Sequence, residues 1–269
     1  MPCELWFFDR GKPKDRRDQV LMLDARNIFR KVNRKINDFS PEQLLNLSAI
    51  VWLYRGQKDR FLDLVKQYFS TGCTESAAIP EVLNAFEATI SSLWERFEAC
   101  AKALNAIEQV DQEKKKALHE AAGELCEALQ PYKTDRTRLV KDLEGFCKKN
   151  CKTLPATNEK QHAVRKEFEP IAEHIKGLIK QVDLLYKLAA RVADLGGELA
   201  GDESVKEVYD RRATSRLVKK LDDERKAAVD QLKHAVYFQR QVVWLQDRFP
   251  DARLQDVPGL VKVVNRKAI

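Results

Sequence analysis

The histidines and cysteines are the residue types in this chain that most often bind metals or act as nucleophiles, but their spacing predicts neither role. No two histidines have the H-x-x-x-H or H-E-x-x-H spacing that places two imidazoles on one helix face. The histidines are His119, His162, His174 and His234. Cys147 and Cys151 could share a helix face, but zinc needs two further ligands and no nearby pair supplies them. We predict no metal site and no catalytic residue.

The cysteines and the lengths of the apolar segments also indicate the cellular compartment of the protein. The chain has six cysteines, and no signal peptide precedes them. No stretch approaches the roughly 20 apolar residues that span a bilayer. We therefore expect a cytoplasmic protein with reduced thiols and no membrane partner.

Basic residues are concentrated near the N-terminus. Ten basic and only three acidic residues lie between Arg10 and Lys35, whereas the rest of the chain is neutral. A localised basic excess is typical of a surface that binds phosphate, although a solvated loop would have the same composition. The candidates for DNA contact are Arg10, Lys12, Lys14, Arg16, Arg17, Arg30, Lys31, Arg34 and Lys35.

Two short strands and two helices are predicted in the first 80 residues. Residues 4–8 and 19–24 are apolar and strand-like, and together they predict a hairpin. A lone hairpin is marginal in water, so we expect its apolar side chains to pack on helices, to dimerise or to fray. Ser40, Pro41 and Gln43 predict a helix start, with its end at Gly56. A second helix is expected over 59–70, followed by a linker at 75–80.

Heptad spacing of apolar residues predicts long helices in the remainder. One seam starts at Phe86, with Pro131 expected to stop its continuation, and a shorter helix is expected over 134–149. The longest seam runs from Val164 to Val192, and Gly196-Gly197 with Gly201-Asp202 is expected to mark a break after that helix. A last helix is predicted over 203–248. The seam positions that we predict to dock a partner are Phe168, Ile171, Ile175, Leu178, Val182, Leu185, Leu232, Val236 and Trp244.

These elements predict a mainly α fold with long antiparallel helices, as a helical bundle or coiled-coil arm, and a short N-terminal β-hairpin. We divide the chain into 1–35 (hairpin and basic segment), 36–75 (helical pair), 76–250 (long-helix arm) and 251–269 (tail). Periodicity alone also allows a single helix layer that buries its seam only against a partner.

Both ends of the chain resemble a known family. Residues 4–13 read ELWFFDRGKP, 19–26 read QVLMLDAR, 36–56 read INDFSPEQLLNLSAIVWLYRG, and 244–267 read WLQDRFPDARLQDVPGLVKVVNRK. These segments resemble the modification (methyltransferase) subunit of type I restriction-modification systems, just past its catalytic domain. The middle, from about 75 to 240, resembles that family only in being long, charged and helical.

The resemblance implies an adenine DNA methyltransferase that uses S-adenosylmethionine, but the motifs for that chemistry are missing here. The family holds its flipped base with an Asn/Asp-Pro-Pro-Phe/Tyr loop and its cofactor with a Gly-rich turn. No two prolines are adjacent in this chain, and its only paired glycines are Gly196 and Gly197. We therefore expect the catalytic residues to lie upstream of Met1, with no cofactor bound by this chain.

The resemblance also implies partners. In the family the C-terminal helices hold the specificity subunit, so we expect this chain to bind that subunit, with double-stranded DNA and the restriction subunit as further partners in the assembled complex. The alternative is a free-standing helical adaptor or scaffold. A third reading joins the two: a truncated product that binds the specificity subunit without methylating, and so competes with a full-length copy.

Overall fold

The computed structural model describes residues 10–105, 107, 111–150, 153–200, 205 and 208–268. Within these ranges the chain is mainly helical, which confirms the predicted fold class. The helices are α1 (Pro41–Tyr54), α2 (Lys58–Ala77), α3 (Ile79–Leu104), α4 (Gln112–Asn150), α5 (Asn158–Leu199) and α6 (Arg211–Arg248). The strands are β1 (Gln19–Leu23), β2 (Arg30–Lys31), β3 (Asn37–Asp38) and β4 (Val261–Asn265).

The chain forms two compact units that do not follow the order of the sequence. Unit 1 comprises residues 1–69, 155–165 and 240–269, and unit 2 comprises 70–154 and 166–239. Helices α2, α5 and α6 each contribute residues to both units. The contiguous division that we expected therefore differs from the units, because distant parts of the chain come together in unit 1.

The two-stranded sheet of unit 1 joins the two ends of the described chain. Strand β1 pairs antiparallel with β4, and Leu21 lies opposite Val263. The Asp24 N–H extends the pairing by donating to the Leu260 carbonyl oxygen at 2.8 Å. Residues 4–8, the expected partner of β1, lie outside the described residues. The sequence analysis did not predict that β1 pairs with a strand more than 230 residues further along the chain.

Helix α1 begins and ends as predicted. The Ser40 hydroxyl accepts a hydrogen bond from the Gln43 N–H at 3.2 Å, and the Gln43 side chain accepts one from the Ser40 N–H at 2.8 Å. This reciprocal capping box satisfies two amide donors that the first helical turn would leave unpaired. Gly56 follows the helix with φ +74°, in the left-handed region where a Cβ would be strained.

Buried aromatic rings and amides connect the helices of unit 1. The rings of Phe61 and Phe249 meet edge to face with centroids 6.4 Å apart, and neither side chain is exposed to solvent. Asn46 is also buried; its amide donates to Gln241 at 2.8 Å, while its oxygen accepts from the Tyr68 hydroxyl at 2.9 Å. Each buried polar atom of Asn46 is therefore paired, as burial requires.

Unit 2 is an antiparallel arrangement of long helices. Pairs between α4 and α5 are Glu124–Arg191 at 2.8 Å, Asp135–Gln181 at 2.6 Å and Lys149–Glu167 at 3.0 Å. The residue number falls on α5 as it rises on α4, which shows that the two helices run in opposite directions. The rings of Phe86 on α3 and Tyr132 on α4 pack at 6.2 Å, and Arg225 on α6 reaches Asp183 on α5 at 2.7 Å.

Two predicted helix breaks are wrong, because packing overrides the local signals. Helix α2 continues through Gly72, which buried Phe69 and Cys73 flank, and α3 begins two residues after α2 ends, so 75–80 is not a linker. Pro131 lies inside α4, between buried Leu129 and Tyr132. A proline costs a helix about 3 kcal/mol, which buried contacts on both sides can offset.

Helix α5 continues through Gly196-Gly197 and ends at Leu199. Gly201-Asp202, the second pair that we expected to mark this break, lies outside the described residues. Gly196 instead allows close approach of the Tyr209 ring, which an added Cβ would meet at 2.7 Å. That ring is held by burial and by a hydrogen bond from its hydroxyl to the Ala193 carbonyl oxygen at 2.8 Å. The last helix begins at Arg211 and not at the expected residue 203. The Asp210 side chain precedes it and accepts a hydrogen bond from the Ala213 N–H at 2.9 Å.

We expect Gly196→Ala to lower the free energy of unfolding by about 1–3 kcal/mol, because the new methyl group overlaps a ring that cannot move aside. The matched control is Gly177→Ala on the same helix, where an added Cβ meets nothing within 4 Å. That change should leave stability unchanged or raise it by up to about 1 kcal/mol. Chemical denaturation of both variants tests the contact, and equal effects at the two glycines would contradict it.

Candidate nucleic-acid interface

The nine basic candidates do not form one uniform surface. Lys12 Nζ donates to the Gln19 carbonyl oxygen at 2.7 Å, and the Arg16 guanidinium donates to the Tyr54 carbonyl oxygen at 2.5 Å. Arg30 makes a two-pronged ion pair with Asp38 across β2 and β3, at 2.9 and 2.8 Å. These three side chains therefore bind groups of unit 1 itself. The other six are exposed: Arg10, Lys14, Arg17, Lys31, Arg34 and Lys35.

Strands β2 and β3 form a small hairpin whose tip is basic. Arg30 lies opposite Asp38 and Lys31 lies opposite Asn37. The Val32 N–H donates to the Ile36 carbonyl oxygen at 3.0 Å, which closes the end of the ladder. This hairpin gathers four of the nine predicted DNA-contact residues: Arg30, Lys31, Arg34 and Lys35.

The hairpin region also exposes apolar side chains, which the sequence analysis did not identify. Seven of the eight exposed large apolar residues found in the described parts of the chain lie between residues 22 and 44. Four belong to the hairpin and its flanks, and are between 38% and 52% exposed: Phe29, Val32, Ile36 and Phe39. The close alternation of these residues with arginine and lysine could have signalled a mixed basic and apolar surface.

Two carboxylates near the basic segment, Asp24 and Asp38, pair with its arginines. The side-chain hydrogen bonds from Arg26 lower the pKa of Asp24 to about 2, and those from Arg30 lower the pKa of Asp38. Both carboxylates are therefore ionised at neutral pH and neutralise one arginine each. Because both ion pairs lie at the surface, they orient side chains rather than add much stability.

The predicted docking residues lie mainly in the core. Eight of the nine are at most 8% exposed, and only Trp244 is half-buried, with the Arg248 guanidinium 4.3 Å from its ring centre. Phe168, for example, packs edge to face on Phe146 of α4 at 5.0 Å. The eight buried side chains are therefore not available to a partner in this structure, because the chain's own helices cover the seam.

The cysteines and histidines are placed without a shared site. Cys73 is disulfide-bonded, so the expectation that every thiol is reduced is wrong at this position. Burial raises the pKa of the Cys100 and Cys147 thiols, which disfavours the nucleophilic thiolate. Across the described residues, no three His, Cys, Asp or Glu side chains lie close enough together to hold a metal ion.

A groove between α4 and α5 contains the half-buried His174. It has a volume of about 570 Å³, and Phe146 and Ile171 are among its lining residues. Its rim combines arginine and lysine with aspartate and glutamate, and His174 lies 3.9 Å from Asp142. Such mixed charge favours neither an anion nor a cation.

Comparison with known proteins gives no match of any kind: no family model, no curated protein and no solved structure is similar to this chain. Among the described residues, none of the helices combines the length and the apolarity that crossing a bilayer requires. Within the described residues, the hairpin and the exposed basic residues around it form a surface that is both basic and apolar.

Proposed function

We propose that this chain is an assembly component of a type I restriction-modification system, equivalent to the C-terminal part of a modification subunit. It binds the specificity subunit and contributes to binding of double-stranded DNA, and it does not methylate DNA alone. S-adenosylmethionine belongs to the catalytic domain of the full-length family, and the restriction subunit is a further possible partner in the complex.

The observation that carries the proposal is the composition of unit 1. The segments that resemble the modification subunit are far apart in sequence, at the beginning and at the end of the chain. Unit 1 unites them: β1 pairs with β4, and Phe249 from the end packs on Phe61 of α2. Unit 2, by contrast, contains most of the middle segment that lacks specific resemblance. We would expect this division if unit 1 were an assembly module common to the family and unit 2 were a helical insertion whose sequence varies.

The exposed apolar side chains favour a partner-docking surface on unit 1 instead of on the helix seams. Because the helix seams are covered within the chain, partner docking is better assigned to unit 1, where nearly all of the exposed large apolar residues in the described parts of the chain occur. Leu44 on α1 is 50% exposed, and Met22 on β1 is 44% exposed. Exposed apolar patches of this kind mark interaction sites more often than they mark the surface of an isolated protein.

The burial of the seams also favours a second candidate, a self-contained helical interaction protein. Ile175, Leu178, Val182 and Leu185 are completely buried without any partner chain. A helical bundle that satisfies its own seams needs no specificity subunit to fold. The two candidates differ in whether a specificity subunit recognises the chain.

A competition assay tests the proposal. Added to an assembled type I methyltransferase from the same genome, the chain should inhibit methyl transfer to a duplex that carries the target site. Excess specificity subunit should restore the activity, because it provides docking sites for both forms. Methyl transfer by the chain alone, or no inhibition at a large molar excess, would contradict the proposal.

A further inference from the structure

The β2–β3 hairpin has an ordered turn that projects charge at its outermost point. The Asn33 side-chain oxygen accepts hydrogen bonds from the Lys35 N–H at 2.8 Å and from the Ile36 N–H at 2.9 Å. These bonds fix the turn without using the side chains of Arg34 and Lys35, both of which are exposed. The tip is thus pre-organised, so a ligand would not have to order it.

The hairpin exposes apolar side chains behind this charged tip. Val32 and Ile36 lie directly across the turn from each other, and each is 52% exposed. Phe29 and Phe39 flank the other end of the hairpin, at 46% and 38% exposure. A two-stranded hairpin with both faces open to solvent is only marginally stable in water. A ligand that covers one of its faces would stabilise it.

The charge of the hairpin defines the class of that ligand. Residues 31–37 contain three basic residues and no acidic residue, and the Asp38 carboxylate is already paired with Arg30. The complementary ligand is therefore anionic and also offers apolar surface. Double-stranded DNA has both, as phosphates along the backbone and as sugars, base edges and thymine methyl groups within the grooves.

We propose that the β2–β3 hairpin enters a groove of double-stranded DNA as a two-stranded ribbon. Arg34 and Lys35 contact phosphates or base edges, and Val32 and Ile36 pack against the groove wall. The major groove is about 12 Å wide and admits such a ribbon, whose strands lie about 5 Å apart. The inference rests on the DNA-binding part of the proposed function and not on binding of the specificity subunit.

The order of residues along the hairpin favours DNA over a lipid surface. A hairpin that inserts into a bilayer would present its apolar side chains first and keep its cations at the level of the headgroups. Here the outermost residues are Asn33, Arg34 and Lys35, and the apolar pair lies behind them. A polar tip matches the floor of a groove, which offers hydrogen-bond donors and acceptors.

Fluorescence anisotropy with a labelled 30-base-pair duplex tests the inference on the full chain. Arg34→Ala/Lys35→Ala should weaken binding at least about tenfold at 50 mM salt. It should also reduce the slope of log affinity against log salt by about 1–2, since each lost phosphate contact contributes about 0.9 and at least one of the two cations contacts a phosphate. Val32→Ser/Ile36→Ser should weaken binding about fivefold and leave the slope unchanged, because the lost contacts are uncharged.

The matched control is Lys219→Ala/Lys220→Ala on α6, which removes the same charge from exposed positions of unit 2. This variant should bind DNA almost as the unaltered chain does. Circular dichroism and a denaturation midpoint for every variant establish that each one is folded.

Each other outcome overturns a distinct statement. No duplex binding by the unaltered chain would contradict the DNA-binding part of the proposed function as well as the inference. Duplex binding that the hairpin variants retain would overturn the inference alone. Tighter binding to single strands than to the duplex would exclude a groove, and binding to phosphatidylserine-containing vesicles without DNA binding would replace DNA by a lipid surface.

Discussion

Leu178→Ala is expected to lower the free energy of unfolding by about 2–5 kcal/mol. Leu178 lies on α5 and is completely buried within unit 2. Truncation removes apolar contacts and leaves a cavity that the neighbouring long helices cannot fill without moving. The free energy and the midpoint of unfolding, measured in urea on the chain alone, test this expectation. A loss in this range would show that the seam is core in the absence of any partner.

The matched control is Leu184→Ala, on the same helix. Leu184 is 47% exposed, so its truncation should change the free energy of unfolding by no more than about 0.5 kcal/mol. If Leu178→Ala were equally mild, the seam would not be buried in solution. The original assignment of Leu178 to a partner-docking face would then be restored.

Phe249→Ala should lower the free energy of unfolding of unit 1 by about 3–5 kcal/mol, at least as much as Leu178→Ala lowers that of unit 2. Phe249 follows α6 and meets Phe61 of α2 edge to face, and both rings are completely buried. This contact connects the end of the chain to its beginning. The cost therefore measures how strongly the two segments that form unit 1 depend on each other.

A double-mutant cycle isolates the contact between these rings. Phe61→Ala, Phe249→Ala and the double variant should show a coupling of about 0.5–1.5 kcal/mol, as for other aromatic pairs. Phe29→Ala is the control, because Phe29 belongs to the same unit and is 46% exposed. Additive effects of the two core variants would mean that the rings do not meet in solution.

Local signals predicted the parts of the fold that depend on neighbours in sequence. The capping box at Ser40 and Gln43 is a pattern of four residues, and it lies where expected. The seam from Val164 to Val192 is buried at each predicted position, because a repeat of three and four residues places those side chains on one helix stripe.

The sequence could not predict features that depend on distant contacts. The pairing of β1 with β4 joins segments about 240 residues apart, and no local signal specifies it. Pro131 and Gly196 look like helix breaks by themselves, but packing around Tyr132 and Tyr209 keeps both helices continuous.

The burial of most predicted docking residues within this chain has a related reason. Heptad periodicity identifies the stripe that must be buried, but not whether the same chain or another chain buries it. Leu185 is an example: its spacing fits an exposed seam and an internal core equally well, and the structure shows it in the core. Arg34 and Lys35, by contrast, are exposed, as the DNA contact predicted for them requires.

The most direct test of the proposed function is size-exclusion chromatography with light scattering. The chain is measured alone and then mixed with the specificity subunit of a type I system from the same genome. The proposal predicts a stable complex whose mass equals the sum of its components, with Leu44→Asp weakening it and Leu184→Asp not. A chain that keeps its own mass in the mixture would contradict the proposal and favour a self-contained helical protein.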